Sequence, residues 1–167
     1  QHIETFEFAD GTTLSEISYN PTNGGTTLVG TAGNDYVHSG NGADAIWGGE
    51  GNDVLDAGTG GSSWQYLYGQ SGDDTFVYSK DNRSVYVGFT SESATSGTAD
   101  RVKFTDLSLQ DVTFGYHLYT GGSAAEGNAL RALWNDGVSS GELRIALEGQ
   151  HIETFEFADG TTLSEIS

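Results

Sequence analysis

Six successive segments of this chain carry one large apolar side chain in the same phase, surrounded by glycine and aspartate that recur with a period of nine residues. In register they read PTNGGTTLV (21–29), GTAGNDYVH (30–38), SGNGADAIW (39–47), GGEGNDVLD (48–56), the longer AGTGGSSWQYLY (57–68) and GQSGDDTFV (69–77). The eighth position holds Leu28, Val37, Ile46, Leu55, Leu67 and Phe76, and the sixth holds Asp35, Asp44, Asp53 and Asp74, with Thr26 and Gln65 in the two units that depart from the pattern. Successive side chains of a strand point to opposite faces, so a three-residue strand gives the core its middle residue, and the other six residues of the unit must turn the chain. Glycine permits the positive φ and close backbone approach that such turns require, and lets carbonyl oxygens converge within them.

The architecture this predicts is all-β: two units form one coil of a right-handed parallel roll, and units two apart share an edge. Asp35, Asp53 and Asp74 then stand in one column, and Asp44 stands in the other between Thr26 and Gln65. Neighbouring coils lie about 4.8 Å apart, a spacing at which two carboxylates repel by about 3 kcal/mol at an effective dielectric near 20. The 167 residues include 6 Lys plus Arg against 24 Asp plus Glu, a net charge of -18, and the first basic side chain is Lys80. That balance excludes nucleic acid and anionic membrane surfaces as partners, and it means the neutralising charge for the column comes from outside the chain. Carboxylates with backbone carbonyls, without His or Cys, select a hard divalent cation, and flexible coordination favours calcium over magnesium. A flexible acidic linker shares this composition, but a linker has no reason to keep large apolar residues in phase. With no cysteine, disulfides and thiolate metal sites are excluded, and no apolar run is long enough to insert in a membrane.

The nonapeptides resemble the RTX, or haemolysin-type, calcium-binding repeats. In that family several calcium ions lie between loops on the same edge, each held by sixth-position aspartates and by carbonyls from positions one to four. Carried onto this chain, the resemblance implies Asp35 with Asp53 and Asp53 with Asp74 as the two supported pairs. Their carbonyls would come from Gly30, Ala32, Gly48, Gly49, Glu50, Gly51, Gln70 and Gly72. On the Asp44 edge the corresponding carbonyls belong to Asn23, Ser39, Gly40, Asn41, Gly42, Gly58 and Gly60, and sites there are expected to be weaker or absent because Thr26 and Gln65 replace Asp.

Residues 1–18, QHIETFEFADGTTLSEIS, recur without change as 150–167, which reads as a tandem array with a 149-residue unit. The expected division is 1–20 as the tail of a preceding unit or a cap on the roll, 21–79 as the roll, and 80–167 as an antiparallel β flanking region that closes the unit. In the flank, VTFGYHLY (112–119) places Val112, Phe114, Tyr116 and Leu118 on one face, and ELRIALE (142–148) does so with Leu143, Ile145 and Leu147. NALRALW (128–134) and HIETFEF (151–157) read as further strands, ADGTT as a turn, and 90–99 and 120–127 as loops. The stretches DRVKFTDLSLQDVTF and LRIALEGQHIETFEFADGTTLSEI look like the segment that follows the roll in haemolysin-type proteins. Such proteins leave the cell by type I export, with a far C-terminal signal expected to lie outside this chain.

No H-E-x-x-H, G-x-S-x-G or phosphate loop occurs, and His2, His38, His117 and His151 are scattered, so the chain reads as a non-enzyme. Glu153 and Glu156 read as charges alternating on an exposed strand, and Trp47, Trp64 and Trp134 as core packing, with Trp64 the best exception. The reading is a calcium-folded structural or adhesive module, secreted or at the cell surface, whose partners are calcium and neighbouring units of the same chain. A polysaccharide or cell-surface ligand stays open. The alternative is an accessory module of a polysaccharide-modifying enzyme, similar to the calcium-binding modules of alginate epimerases.

Overall fold

The computed structural model describes residues 6–7, 9, 13–14, 16–19, 24–59, 63–88, 99–118, 128–147 and 152–164. In chain order the strands are β1 (Phe6–Glu7), β2 (Thr13–Leu14), β3 (Glu16–Tyr19), β4 (Thr27–Val29), β5 (Asp35–His38), β6 (Ala45–Glu50), β7 (Val54–Asp56), β8 (Gln65–Ser71) and β9 (Thr75–Tyr78). They continue as β10 (Ser84–Val87), β11 (Arg101–Phe104), β12 (Val112–His117), β13 (Ala129–Asn135), β14 (Ser140–Ala146), β15 (Thr154–Glu156) and β16 (Thr162–Ser164). The described residues are all-β apart from a three-residue 3-10 turn at Leu109–Asp111. Among the described residues no helix is long and apolar enough to cross a membrane.

β3 to β16 lie in two seven-stranded sheets, one ordered β12-β13-β14-β10-β8-β6-β4 and the other β16-β15-β11-β9-β7-β5-β3, and β1 pairs with β2 in a separate two-stranded sheet. Each coil contributes one strand to each sheet, and β4 to β11 pair in parallel with their equivalents one coil away. The eighth-position residues become two apolar columns. Leu28, Ile46, Leu67, Val87 and Ile145 follow one another in register in the first sheet. Val37, Leu55, Phe76, Val102 and Phe155 do so in the second. All are buried except Leu28, which is partly buried against the same cluster.

Parallel pairing runs past residue 79, where the nonapeptide spacing ends: β10 and β11 form a further coil, and β14 and β15 stack in parallel on that one. Within the two large sheets, antiparallel pairing is confined to the outer end, where β13 joins β14, β12 joins β13, and β16 folds back on β15. There the core is thicker and aromatic. Phe104 stacks on Phe157 with centroids 4.9 Å apart, Phe114 meets Phe155 edge-on, and buried Trp134 donates its Nε1–H to the Tyr78 hydroxyl at 2.8 Å.

The flank departs from the expected faces at its free ends. Val112, Phe114, Leu143 and Ile145 pack on the core, but Tyr116, Leu118 and Leu147 are exposed. Tyr116 stands opposite the buried Leu130 yet is itself uncovered, and Leu118 and Leu147 follow the last residues of their strands. The expected loops 90–99 and 120–127 fall on residues that, Ala99 apart, lie outside those described. The ADGTT turn is present, with Gly160 at φ +82°.

The duplicated segment forms the same hairpin twice, Phe6 opposite Leu14 in the first copy and Phe155 opposite Leu163 in the second. The surroundings differ: β15 lies in parallel against β11, whereas after the first hairpin β3 adds a parallel strand beside β5. That strand covers a backbone edge that would otherwise be open to pairing with another chain.

Leu55 is fully buried between Val37 and Phe76. Leu55→Ala is therefore expected to cost about 2–5 kcal/mol in the calcium-loaded protein, read as a drop in urea midpoint, with a smaller loss for Leu28→Ala in the outermost coil. Equal losses at the two positions would contradict the stacked-core arrangement.

Candidate calcium site

Because the coils stack in register, each sixth-position aspartate stands over the next. The Asp35 N–H donates to Asp53 Oδ1 at 2.8 Å, the Asp53 N–H to Asp74 Oδ1 at 2.8 Å, and the Asp74 N–H to Asp100 Oδ1 at 2.7 Å. A second ladder runs beside the first at position five: the Asn52 N–H donates to Asn34 Oδ1, Asp73 N–H to Asn52 Oδ1, and Ala99 N–H to Asp73 Oδ1. Asp35, Asp53, Asp74 and Asp100 are at most 1% exposed.

Glycine brings further oxygens to these carboxylates. A methyl in place of the Gly30 hydrogen would lie 2.1 Å from the Gly48 carbonyl oxygen and 2.7 Å from Asp35 Oδ2, and one on Gly48 would lie 2.3 Å from Asp53 Oδ2 and 2.7 Å from the Gly69 carbonyl. Carboxylate and carbonyl oxygens thus converge on the spaces that glycine leaves free. At position four, Gly51 has φ +111° and a methyl there would lie 2.6 Å from the Gly33 carbonyl carbon, so neither the conformation nor the pitch admits a side chain.

The electrostatics are those of a stack missing its counter-charge. Burial raises the Asp53 carboxyl from 3.8 to about 7, with the charges of Asp74 and Asp35 adding to the effect and the hydrogen bond from Asp35 opposing it. Burial likewise raises Asp74 to about 6, with Asp73 contributing, and Asp100 to about 7, with Asp74, Glu153 and Asp73 contributing. Asp53 Oδ2 is buried without a hydrogen-bond partner, a state that costs about 1–3 kcal/mol for a neutral group and more for a charged one. Four of the six basic side chains of the flank are engaged elsewhere: Arg101 and Lys103 face Glu156, and Arg131 and Arg144 share Glu142. Oxygen donors alone, buried, convergent and negatively charged, fit a hard divalent cation. Among the described residues no three His, Cys, Asp or Glu side chains form a ready metal-holding group, so an ion here draws on paired carboxylates and on backbone carbonyls.

A family model for the RTX calcium-binding nonapeptide repeat, in four copies, matches residues 22–55 and 57–84. Residues 22–84 are RTX calcium-binding repeats. None of the curated proteins compared with the chain matches it. The RTX repeats make calcium the expected ion.

The two edges of the RTX roll differ. Opposite the aspartate column, the sixth positions in register are Thr26, Asp44, Gln65, Val85 and Leu143. Asp44 Oδ1 accepts the Thr26 N–H at 2.8 Å and its Oδ2 has no partner, while the buried Gln65 donates from Nε2 to the Gly42 carbonyl and leaves Oε1 unpaired. Gly58, expected as a carbonyl donor, already accepts the buried Asn82 amide. Asn23 and Gly60 lie outside the described residues.

Sequence reasoning missed Asp100 and Glu153. Asp100–Arg101–Val102 and Glu153–Thr154–Phe155 keep the acidic-x-apolar signature of positions six to eight, but the segments before them lack the glycine pattern. Glu153 is not a charge on an exposed strand: its N–H donates to the Asp100 carbonyl and its Oε2 is buried, while Glu156 does lie among surface charges. Of the tryptophans, Trp134 is in the core, whereas Trp47 stacks on Tyr68 on the outer face and Trp64 lies under the Arg144 guanidinium.

The raised carboxyls set a pH dependence. Between about pH 4 and 7 the folded chain holds protons that the unfolded chain has released, so without calcium its stability falls as pH rises through that window. In chelator, β-structure by circular dichroism is therefore expected to be greater at pH 5 than at pH 7.5, and saturating calcium should abolish the difference. Identical chelator spectra at the two values would contradict the desolvated column.

Proposed function

We propose that this chain is a calcium-folded structural or adhesive module of a large exported protein, outside the cell. One observation carries the reading: a buried, in-register column of aspartates whose carboxyls burial raises, in a chain of net charge -18. Such a column opposes folding where calcium is scarce and favours it where calcium is abundant, because binding free energy becomes folding free energy. A chain that must leave the cell unfolded and fold afterwards gains a switch from this difference. The 18-residue duplication supports a tandem array, in which neighbouring units of the same chain are the partners. Asp35 with Asp53 and Asp53 with Asp74 are the pairs assigned to ions.

The test is a calcium titration from chelator, followed by circular dichroism. A cooperative gain of β-structure is expected with calcium and not with equimolar magnesium. Asp53→Asn, which touches both ion pairs, should move the midpoint upward by about tenfold or more, equivalent to about 1.4 kcal/mol, and further than Asp44→Asn. A chelator-insensitive spectrum would end the folding-switch reading.

A second reading, an accessory module gripping an acidic polysaccharide, is favoured by Trp64, which lies 4.3 Å beneath Arg144 and offers a stacking ring beside a cation. Oligouronate retention in affinity electrophoresis, lost in Trp64→Ala, would favour it over the structural role; no retention by the calcium-loaded protein would remove it.

A further inference from the structure

The ion-holding edge does not end with the nonapeptides. We infer that Asp100, between Asp74 and Glu153, holds at least one further divalent cation in a coil outside the repeat array. The inference rests on the calcium reading of the roll and concerns residues beyond the segment matched as repeats, which stops at 84.

Three observations converge on Asp100. Its backbone occupies the sixth position of a coil: Arg101 N–H donates to the Asp74 carbonyl at 2.8 Å, as Thr75 N–H does to the Asp53 carbonyl one coil earlier. Its carboxylate is oriented like those before it, with Oδ1 accepting the Asp74 N–H and the side chain 0% exposed. On the far side, β15 pairs in register with β11, which brings Glu153 to the level below Asp100, and Glu153 Oε2 is buried with no hydrogen-bond partner. An acidic oxygen left unpaired beside a second buried carboxylate is a ligand atom that a cation can take up.

The opposite edge serves as an internal control. At the same two levels it carries Val85 and Leu143, so the roll can continue there on apolar packing alone. On the aspartate edge the chain keeps an acid at both levels instead. The fold therefore accommodates an uncharged sixth position on that edge, whereas Asp100 and Glu153 bring two acids together on this one.

The experiment counts ions. Wild type, Asp100→Asn and Glu153→Gln are equilibrated with buffered free calcium, bound calcium per chain is measured by equilibrium dialysis with atomic absorption, and each step is followed by calorimetry. Asparagine retains an Oδ1 that can accept the Asp74 N–H, so Asp100→Asn removes charge without removing the ladder bond. It is expected to bind at least one ion fewer than wild type at saturation while retaining the calcium-induced β-structure, and in chelator to be no less stable than wild type, since a repulsion has been removed. A purely structural Asp100 would instead lose stability in both conditions with the ion count unchanged. Glu153→Gln is expected to move one binding step to several-fold higher calcium. If Asp100→Asn does not fold, the Glu153→Gln titration decides by the same criterion. Both variants titrating like wild type would overturn the inference while leaving the nonapeptide sites intact, and a wild type that binds no calcium would overturn both readings.

Discussion

The structure depends on a single spacing. Parallel coils repeat every ~4.8 Å, so whatever side chain stands at the turn-to-strand junction of one coil stands directly over its equivalent in the next. With aspartate there, the edge becomes a column of like charges whose members give their backbone N–H groups to the carboxylate one coil further on. Those bonds align the acids and satisfy one oxygen each of Asp53, Asp74 and Asp100, while Asp35 accepts from Thr31. They supply no positive charge, and burial pushes the carboxyls upward. The same hydrogen-bond register that builds the roll therefore creates the electrostatic problem that a divalent cation resolves.

The opposite edge shows the other solution. Thr26, Asp44, Gln65, Val85 and Leu143 pass from polar to apolar along the column, and where the acids disappear the core thickens. The nonapeptide coils have one buried aliphatic or aromatic column per sheet, whereas the outer coils add Tyr78, Phe104, Phe157 and Trp134. Apolar reserve is concentrated in the flank, and the thin-cored nonapeptide coils stack on it.

Much of this was legible from particular residues. The phase of Val37, Ile46, Leu55, Leu67 and Phe76 predicted which side chains are buried, because a two-residue alternation within a nine-residue period leaves one inward position per unit. The pairing of Asp35 with Asp53 and Asp53 with Asp74 in one column followed from counting two units per coil. Asp100 and Glu153 were not legible, because the segments leading to them have lost the glycines that advertise the turn while keeping only the acidic-x-apolar tripeptide, which is common in any strand. Tyr116 and Leu118 failed for a different reason: alternation identifies a face but not whether another layer covers it.

By itself the sequence determined the periodic elements, the excess of negative charge and the demand for an external cation, since these follow from local geometry and composition. Only the tertiary structure decided how far the parallel stack runs. Residues 80–88, 99–104, 140–146 and 152–157 join the roll because their apolar positions meet Leu67, Phe76, Val87 and Val102 across the coil step, a match between segments far apart in the chain. The duplicated segment makes the same point. Identical residues form one hairpin in both copies, and the flanking coil available to each decides whether that hairpin lies against β11 or leads into a strand beside β5, because local hydrogen bonding fixes the turn and the neighbouring open edge selects the partner.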